Sequence, residues 1–389
     1  MQDRVSLYPG RVKLTPVAGQ ENTFDMVRAD QPTQEGTPLN KATLLKDVTA
    51  SILGLPNTAV PDDAFLALTI GVGTYGFRVK IQLADGTPVE GARVSGITAL
   101  TGSTLVSGTD GIVLGKSTSK TVTISCTSPY IDQAAPASQS VTATGTITDV
   151  TLILTAITDM ITVTSGKTAK VSPIVKTMDV TAVGGGGGGG GGCYGGYDES
   201  AAGGGGGGYV FTKTGVASVA KAILKITVGS AGSGGASKKN ASSPGTSGGT
   251  TSVTLNDATL VTANGGAGGE NGYGKSYPSL IPGGIGNGNG GTGTSKSGVN
   301  CNGGAGSGYI FNDSSLGLAG GGGGGGGTSG AVANGGSPNG GNGSHYDEGY
   351  SSIIGGTPGE NFGGGGGGGH NSFDGCNGGR GGVYLRFHF

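Results

Sequence analysis

Alternating apolar and polar residues near the N-terminus predict a β-hairpin. Apolar side chains recur at every second position in residues 11–17 and 23–28, and the intervening residues, 18–22, have the composition of a turn. Two such runs joined by a short polar segment are typical of antiparallel strands that are adjacent in the chain.

The next apolar pattern has helical spacing. In residues 39–54 an apolar stripe recurs every three to four positions, with Asn40 as a candidate N-cap and Gly54 at the end. The stripe consists of Leu44, Leu45, Val48 and Ile52. We predict one short helix here, and it must bury this stripe against its own hairpin, a second copy of the chain or another protein. Residues 1–70 are predicted to form an N-terminal attachment segment.

A second period-two pattern begins at Phe77 and continues through Val79, Ile81 and Leu83. Further short apolar runs follow at the regular intervals typical of β-sandwiches. The residues 83–94, LADGTPVEGARV, resemble the opening of prealbumin-like or carboxypeptidase-regulatory-like repeats, which act as spacers in surface proteins. We predict that residues 71–158 form a prealbumin-like β-sandwich stalk.

Beyond residue 183 glycine replaces the apolar pattern, and 74 of the 90 glycines lie there. Four unbroken runs occupy residues 184–192, 203–208, 320–327 and 363–369. Such runs form either a disordered linker or packed polyglycine II helices, which have three residues per turn and no internal hydrogen bonds. In the packed form each backbone amide is paired with a neighbouring helix, and only glycine permits that approach.

Apolar strands between the runs favour the packed form over the linker. We expect strands near residues 161–183, 209–228, 251–262 and 383–389 to build a small β-collar at the base of the glycine helices. The predicted fold is therefore mainly β. It comprises the hairpin with one helix, the sandwich, and a glycine-rich domain over residues 159–389.

Composition excludes several classes of function. The 23 basic and 24 acidic residues give a net charge of −1, so we expect no nucleic-acid partner. No apolar stretch suits a membrane span or a signal peptide, so we expect synthesis in a cytoplasm, no membrane insertion and no export by a conventional signal. Cys301 and Cys376 begin similar hexapeptides, which predicts equivalent positions on neighbouring glycine helices. A disulfide between them remains an alternative, but free thiols are favoured for a chain that folds in a reducing compartment.

Catalytic patterns are missing from the sequence. His345, His370 and His388 do not have partners at the spacing of a zinc site, and the adjacent carboxylates Asp198 and Glu199 do not give the facing geometry of a glycosidase. We therefore expect neither an enzyme nor a cofactor or metal.

Aromatic residues on polar turns are the candidate binding residues, because tyrosines among Ser, Gly and Asn are typical of recognition surfaces. They are Tyr194, Tyr197, Tyr273, Tyr277, Tyr346, Tyr350, Phe362 and Phe373, and His370 joins them as a loop residue. The alternative for each ring is that it covers the end of a glycine helix.

Two sets of residues resemble known proteins. The segments 178–184, 208–210 and 378–385 look like the glycine-rich domain of bacteriophage tail-fibre and tail-tip proteins, and are similar to T-even phage adhesins with polyglycine II sandwiches. The segments 10–14, 28–30 and 35–40 resemble leading segments of phage and prophage appendage proteins.

The resemblance implies a virion tail protein. Its N-terminal segment would bind tail or baseplate proteins, and the loops of its C-terminal domain would bind a receptor on the host cell. Association into a homo-oligomer such as a trimer is a further expectation. A secreted matrix protein and a glycan depolymerase are the alternatives.

The direction of the glycine runs predicts where recognition lies. If the first run leads away from the collar and the second returns, residues 193–202 lie at the far end, and residues 370–374 join them if the last run also leads outward. We expect Tyr194, Tyr197, His370 and Phe373 to share one distal surface.

Overall fold

The strands of the chain belong to several small sheets. A computed structural model describes residues 5–6, 11–19, 22–28, 32–34, 45, 50, 53, 55, 58–71, 74–100, 103–134, 138–145, 147–156, 160–194, 201–218, 222–272, 280–294, 301–316, 318–327, 333–346 and 352–389. Up to residue 156 the elements are β1 (Val5–Ser6), β2 (Val12–Pro16), β3 (Phe24–Arg28), β4 (Pro32–Gln34), α1 (Pro61–Ile70), β5 (Tyr75–Leu83), β6 (Arg93–Ser95), β7 (Thr98–Ala99), β8 (Ile112–Ser117), β9 (Thr121–Thr127), β10 (Gln133–Ala134), β11 (Gln139–Thr142) and β12 (Ile147–Ala156).

Short strands alternate with irregular backbone in the rest of the chain. They are β13 (Met160–Val163), β14 (Lys167–Lys170), β15 (Thr177–Val183), β16 (Cys193–Tyr194), β17 (Val210–Ala217), β18 (Ile223–Thr227), β19 (Lys238–Lys239), β20 (Thr251–Leu255), β21 (Ala258–Ala263), β22 (Leu280–Ile281), β23 (Gly293–Thr294), β24 (Gly308–Tyr309), β25 (Leu318–Ala319), β26 (His345–Tyr346), β27 (Ile353–Ile354) and β28 (Gly382–His388). Two short 3-10 helices cover Ile310–Asn312 and Ser314–Leu316.

The chain divides into two compact units. The first comprises residues 1–128 and 135–155, and the second comprises residues 129–134 and 156–389. The fold is mainly β, as the sequence predicts.

The first unit contains the predicted hairpin and sandwich strands. Strands β2 and β3 pair antiparallel, with Val12 opposite Arg28 and Leu14 opposite Met26. One sheet has the order β12-β5-β8-β7, in which β12 runs parallel to β5, and a second has the order β11-β9-β6. The alternating side chains of β5 that the pattern places inside, from Phe77 to Leu83, are buried.

The helix α1 was not predicted from the sequence. Pro61 stands at its first position, where the absent N–H is not needed, and the Val60 N–H donates to Asp63 Oδ2 at 3.0 Å. Gly71 ends the helix with a φ of 92°. The helix predicted over residues 39–54 falls almost entirely outside the described residues.

The second unit begins with the collar, which we define as the two four-stranded sheets β13-β28-β15-β17 and β14-β18-β20-β21. Their apolar faces form one core that includes Val180, Leu224, Val253 and Leu385. These strands arise where the sequence predicts them. The C-terminal strand β28 lies between β13 and β15, so it is paired on both sides.

Residues 129–134 also belong to the second unit. Ile131 is buried in the collar core, and its N–H donates to Lys170 O at 2.9 Å. The buried Asp132 accepts from the Ser172 N–H at 2.8 Å and from the Ser172 hydroxyl. The chain therefore passes from one unit to the other three times.

The first glycine run, 184–192, shows how the bundle is built. Its N–H groups donate in strict rotation to three segments, and its carbonyls accept from three more. The donors reach residues 203–209, 243–249 and 373–379, and the acceptors are reached from residues 232–235, 266–272 and 366–369. A period of three is that of polyproline II geometry, and the predicted packed polyglycine II helices are present.

The described segments of the bundle form four rows of a hexagonal lattice, with three, four, four and three members. The outer rows are 243–250, 264–272 and 282–287 on one side and 355–361, 338–344 and 333–337 on the other. The middle rows are 229–237, 184–192, 203–208 and 288–294, and 373–381, 363–369, 320–327 and 301–307. The four unbroken glycine runs fill the four interior positions, where each has six neighbours.

Interior positions admit no side chain. A Cβ placed on Gly187 would overlap with the carbonyl of Ala267, and one on Gly205 would overlap with the carbonyl of Gly187. On the peripheral segment 229–237 a Cβ would overlap neighbouring backbone at Gly229, Gly232, Gly234 and Gly235, whereas Ser230 and Ser233 carry exposed side chains. The difference explains why the interior runs are unbroken and the peripheral ones are not.

Peripheral segments use polar side chains to complete the backbone pairing. Asn377 Oδ1 accepts from the Gly234 N–H at 2.9 Å, Thr246 Oγ1 from the Ser233 N–H at 2.7 Å and Asn302 Oδ1 from the Asn334 N–H at 2.9 Å. Each of these side chains supplies the acceptor that a backbone carbonyl of a neighbouring segment supplies in the interior of the bundle.

The two similar cysteine segments are not neighbours, contrary to the sequence prediction. Residues 301–307 and 373–381 lie at opposite edges of one row, with 320–327 and 363–369 between them. Cys301 and Cys376 are thiols. Two intervening glycine helices exclude a disulfide, because bridged Cα atoms lie within about 7 Å.

Candidate functional site

The first, third and fourth runs lead away from the collar and the second returns to it, so the runs share a distal end, defined here by residues 192–194, 201–202, 327 and 370. Gly184, Gly187 and Gly190 donate to Tyr209, Gly206 and Gly203 in turn, so the second run is antiparallel to the first. Gly366 and Gly369 donate to Gly187 and Gly190, so the fourth run is parallel to it. At ~3.1 Å per residue, nine glycines place this end about 28 Å from strand β15.

Three of the predicted site residues have described side chains at this end. Tyr194 is 36% exposed, Phe373 is partly buried beside Gly355, and His370 is 1% exposed. The Gly192 N–H donates to Phe373 O at 3.1 Å, and Ala201 forms an isolated antiparallel β-bridge with His370. The first and last runs therefore end together.

Of the other candidates, one lies at the collar, one has only its backbone described, next to His345, and four lie outside the described residues. Phe362 is at the collar, where its ring stacks on Tyr384 with centroids 4.8 Å apart. It covers the end of a glycine run, which is the alternative considered for each ring. The backbone of Tyr346 pairs with Ile353. Tyr197, Tyr273, Tyr277 and Tyr350 lie outside the described residues.

The burial of His370 contradicts the expectation that it shares an exposed surface. Burial, and secondarily the nearby His345, lowers the pKa of His370 from 6.5 to about 4, so the ring is neutral at pH 7. His345 is also buried, and its Nδ1 lies 3.2 Å from Gly343 O. Together with the buried Thr294 and Ser344, the two histidines form a polar layer inside the distal end.

The sequence analysis missed two lysines beside Tyr194. Strand β19 pairs parallel with β16, which places Lys238 opposite Cys193 and Lys239 opposite Tyr194. Both lysines are exposed. The Asn240 N–H donates to Tyr194 O at 3.1 Å and fixes the turn that follows. The signal in the sequence is the adjacent lysine pair that follows the first run. It was passed over because the net charge of the whole chain is only −1.

The neighbouring segment 372–374 completes this corner of the distal end. The Ser237 N–H donates to Asp374 Oδ1 at 2.6 Å, and the Ser237 hydroxyl donates to Ser372 O at 2.8 Å. We define the distal corner as Tyr194, Lys238, Lys239, Ser372 and Asp374. Its backbone is held by hydrogen bonds, and its side chains are exposed.

A sequence profile described as a glycine-rich domain matches residues 162–388. The chain belongs to this family of glycine-rich domains. The match begins within β13 and ends with β28, so the glycine-rich domain comprises the collar and the whole bundle. No curated protein is significantly similar to the chain.

Among the residues that the structure describes, no three His, Cys, Asp or Glu side chains are grouped as metal ligands would be. Burial raises the pKa of the Cys301 thiol to about 11, which keeps it protonated at pH 7 and weakly nucleophilic. Within the described part of the chain, no helix is long and apolar enough to span a bilayer.

Proposed function

We propose that the chain is a tail-fibre or tail-tip protein of a phage or phage-like particle, and that the distal end of its glycine-rich domain binds a receptor on the host cell. The observation that carries this proposal is the direction of the runs. Four glycine runs without side chains support loops at one end, far from the collar, and an exposed tyrosine lies there.

The construction of the bundle suits a recognition scaffold. The interior is held by backbone hydrogen bonds and depends on no loop side chain. The loops at the distal end can therefore differ in sequence without disturbing the lattice. Loops on a rigid support are where proteins concentrate binding residues.

The N-terminal hairpin supports attachment as the role of the other end of the chain. On one face of β2 and β3, Leu14 lies opposite Met26 and Pro16 lies opposite Phe24, and these apolar side chains are exposed. An isolated two-stranded hairpin is marginally stable in water, so a partner that covers this face would stabilise it. Tail or baseplate proteins are the partners that we propose, and association of copies into a homo-oligomer, such as a trimer, is compatible with the same face.

We propose a role without catalysis. The distal end presents aromatic, hydroxyl and ammonium groups on a fixed backbone, and we assign it no reaction, cofactor or metal. The protein would be made in the host cytoplasm and assembled into the virion tail.

Binding of labelled full-length protein to a panel of bacterial strains tests this proposal. In a strain that binds it, Tyr194→Ala should weaken binding, because an exposed ring at the distal end is lost. Tyr209→Ala is the matched control, since Tyr209 is 40% exposed but lies at the collar end of the second run.

Equal loss with both variants would place the receptor site away from the distal end. Cell binding by residues 1–128 in place of the glycine-rich domain would reverse the proposed orientation. Failure of the full-length protein to bind any strain whose phages or prophages encode it would overturn the function itself.

A further inference from the structure

We infer that the distal corner binds an acidic polysaccharide, meaning a sugar chain with regularly spaced carboxylate or phosphate groups. The inference rests on the proposed function and specifies the chemistry of its ligand. Three observations carry it: the register of β16 and β19, the distribution of charge along the domain, and the fixed backbone beneath both.

The register brings an aromatic ring and a cation together. Lys239 and Tyr194 are partners in a parallel ladder, so their side chains leave the same face of adjacent strands about 4.8 Å apart. Both side chains are exposed. A sugar ring that stacks on Tyr194 would hold a carboxylate or phosphate substituent within reach of the Lys239 ammonium group.

The described lysines of the distal end lie at this corner. In the described part of the second unit, the other lysines and arginines belong to the collar or lie next to it. They are Lys167, Lys170, Lys176, Lys213, Lys225, Arg380 and Arg386. At the distal end the described lysine and arginine side chains are therefore those of Lys238 and Lys239.

The one described carboxylate of the corner does not neutralise the pair. Asp374 Oδ1 accepts from the Ser237 N–H, which fixes the carboxylate on the backbone of the preceding segment. No ion pair joins either lysine to a carboxylate among the described residues. An incoming anion therefore meets two ammonium groups whose charge is exposed.

The arrangement favours a polysaccharide over a nucleic acid. Two lysines are too few for the long basic stripe that tracks a phosphate backbone, and the chain carries a net charge of −1. The one exposed ring that the structure describes at this corner, together with the exposed Ser372 hydroxyl and two ammonium groups, instead matches one sugar unit with its hydroxyl and acidic substituents. Tight overall binding would then come from several such sites engaging one polymer.

The test uses full-length protein and three defined probes in a direct binding titration. The probes are hexagalacturonate, its fully methyl-esterified form and a glycerol phosphate hexamer. We expect the two acidic probes, or one of them, to bind and the neutral ester to bind at least tenfold more weakly. Preference for one acid identifies carboxylate or phosphate as the group recognised. Binding of the acid should weaken as salt rises, because exposed charges are screened.

Two double variants with the same change in net charge provide the control. Lys238→Gln with Lys239→Gln should weaken binding of the acidic probe about tenfold, since each exposed ion pair contributes at most about 1 kcal/mol. Lys213→Gln with Lys225→Gln removes two exposed lysines of the collar and should leave binding unchanged. Tyr194→Ala should weaken binding of both acid and ester.

Several outcomes would overturn the inference. Equal binding of acid and ester would do so, as would an equal loss of binding with both pairs of lysine substitutions. Failure of both acidic probes to bind would also do so. So would tighter binding to single-stranded DNA of matched charge. If cells still bind in a manner that depends on Tyr194 while acid and ester bind alike, the proposed function stands and only the assigned chemistry fails.

Discussion

The collar and the glycine bundle are two regions of one domain that bury their backbone in different ways. In the collar, side chains such as Leu224, Val253 and Leu385 fill the space between two sheets. In the bundle, the interior runs have no side chains, and neighbouring backbones approach to hydrogen-bonding distance.

This difference determines which substitutions each region tolerates. A side-chain core tolerates substitution if volume and apolar character are kept. A backbone core has no volume to exchange, so each interior position requires glycine. Its register is fixed by which N–H meets which carbonyl, and it has a period of three residues.

The largest effect should come from adding a side chain to the backbone core. We expect Gly187→Val to destabilise the protein by about 3–6 kcal/mol, because overpacking and broken backbone hydrogen bonds add together. Thermal unfolding measures the change. Ala231→Val, on the exposed side of a peripheral segment, is the control and should change stability little. Similar melting temperatures for both variants would mean that the runs are flexible linker.

A side-chain deletion in the collar should have the next largest effect. Leu385 is fully buried between the sheets, and Leu385→Ala should cost about 2–5 kcal/mol by leaving a cavity. Chemical denaturation gives this value directly. Leu385→Met keeps the volume and should cost less than about 1.5 kcal/mol. If the conservative change were as harmful as the alanine, the collar would share the intolerance that we assign to the bundle.

The polar layer at the distal end should respond to acid. The pKa of His370 in the folded protein is about 4 and its ordinary value is 6.5, so the unfolded chain binds the proton more readily. Stability should fall as pH drops from about 6.5 to 4, by at most about 3 kcal/mol from this group. His370→Gln should lose less stability than the parent over this range. An identical pH profile in the variant would show that His370 does not contribute.

The smallest effect should come from the peripheral side chains that replace a carbonyl. Asn377→Ala removes the acceptor of the Gly234 N–H, which water can then reach, and should cost about 0.5–1.5 kcal/mol. Hydrogen exchange at Gly234 should accelerate while exchange at Gly187 stays slow. Acceleration at both amides would indicate that the periphery and the interior open together.

Much of the fold follows from patterns that are local in sequence. The period-two runs that gave β2, β3 and β5 and the apolar strands of the collar lie where the sequence predicts them. The sequence also predicts that the four glycine runs pack against one another, and the structure places them at the four interior positions, where six neighbours exclude every side chain. The helix α1 was missed although Pro61 and two acidic residues in its first turn were readable signals.

Other features depend on contacts between residues distant in sequence. His370 is a polar residue in a glycine-rich loop, which predicts exposure, but the meeting of two run ends buries it. The lysine pair became part of a candidate site only when β19 was found beside Tyr194. The repeated hexapeptides at Cys301 and Cys376 mark two equivalent edges of the lattice, and the sequence analysis took them for neighbours.

The segment 129–134 has a consequence for how this protein can be inherited in parts. The collar core contains Ile131, and the Ser172 N–H donates to Asp132. Ile131 and Asp132 both precede the last two strands of the sandwich, β11 and β12, in the chain. A recombination breakpoint near residue 156 would deliver a glycine-rich domain without these residues. A breakpoint at residue 129 would instead separate β12 from its partner β5, so exchange between genes should carry the sandwich strands and the glycine-rich domain together.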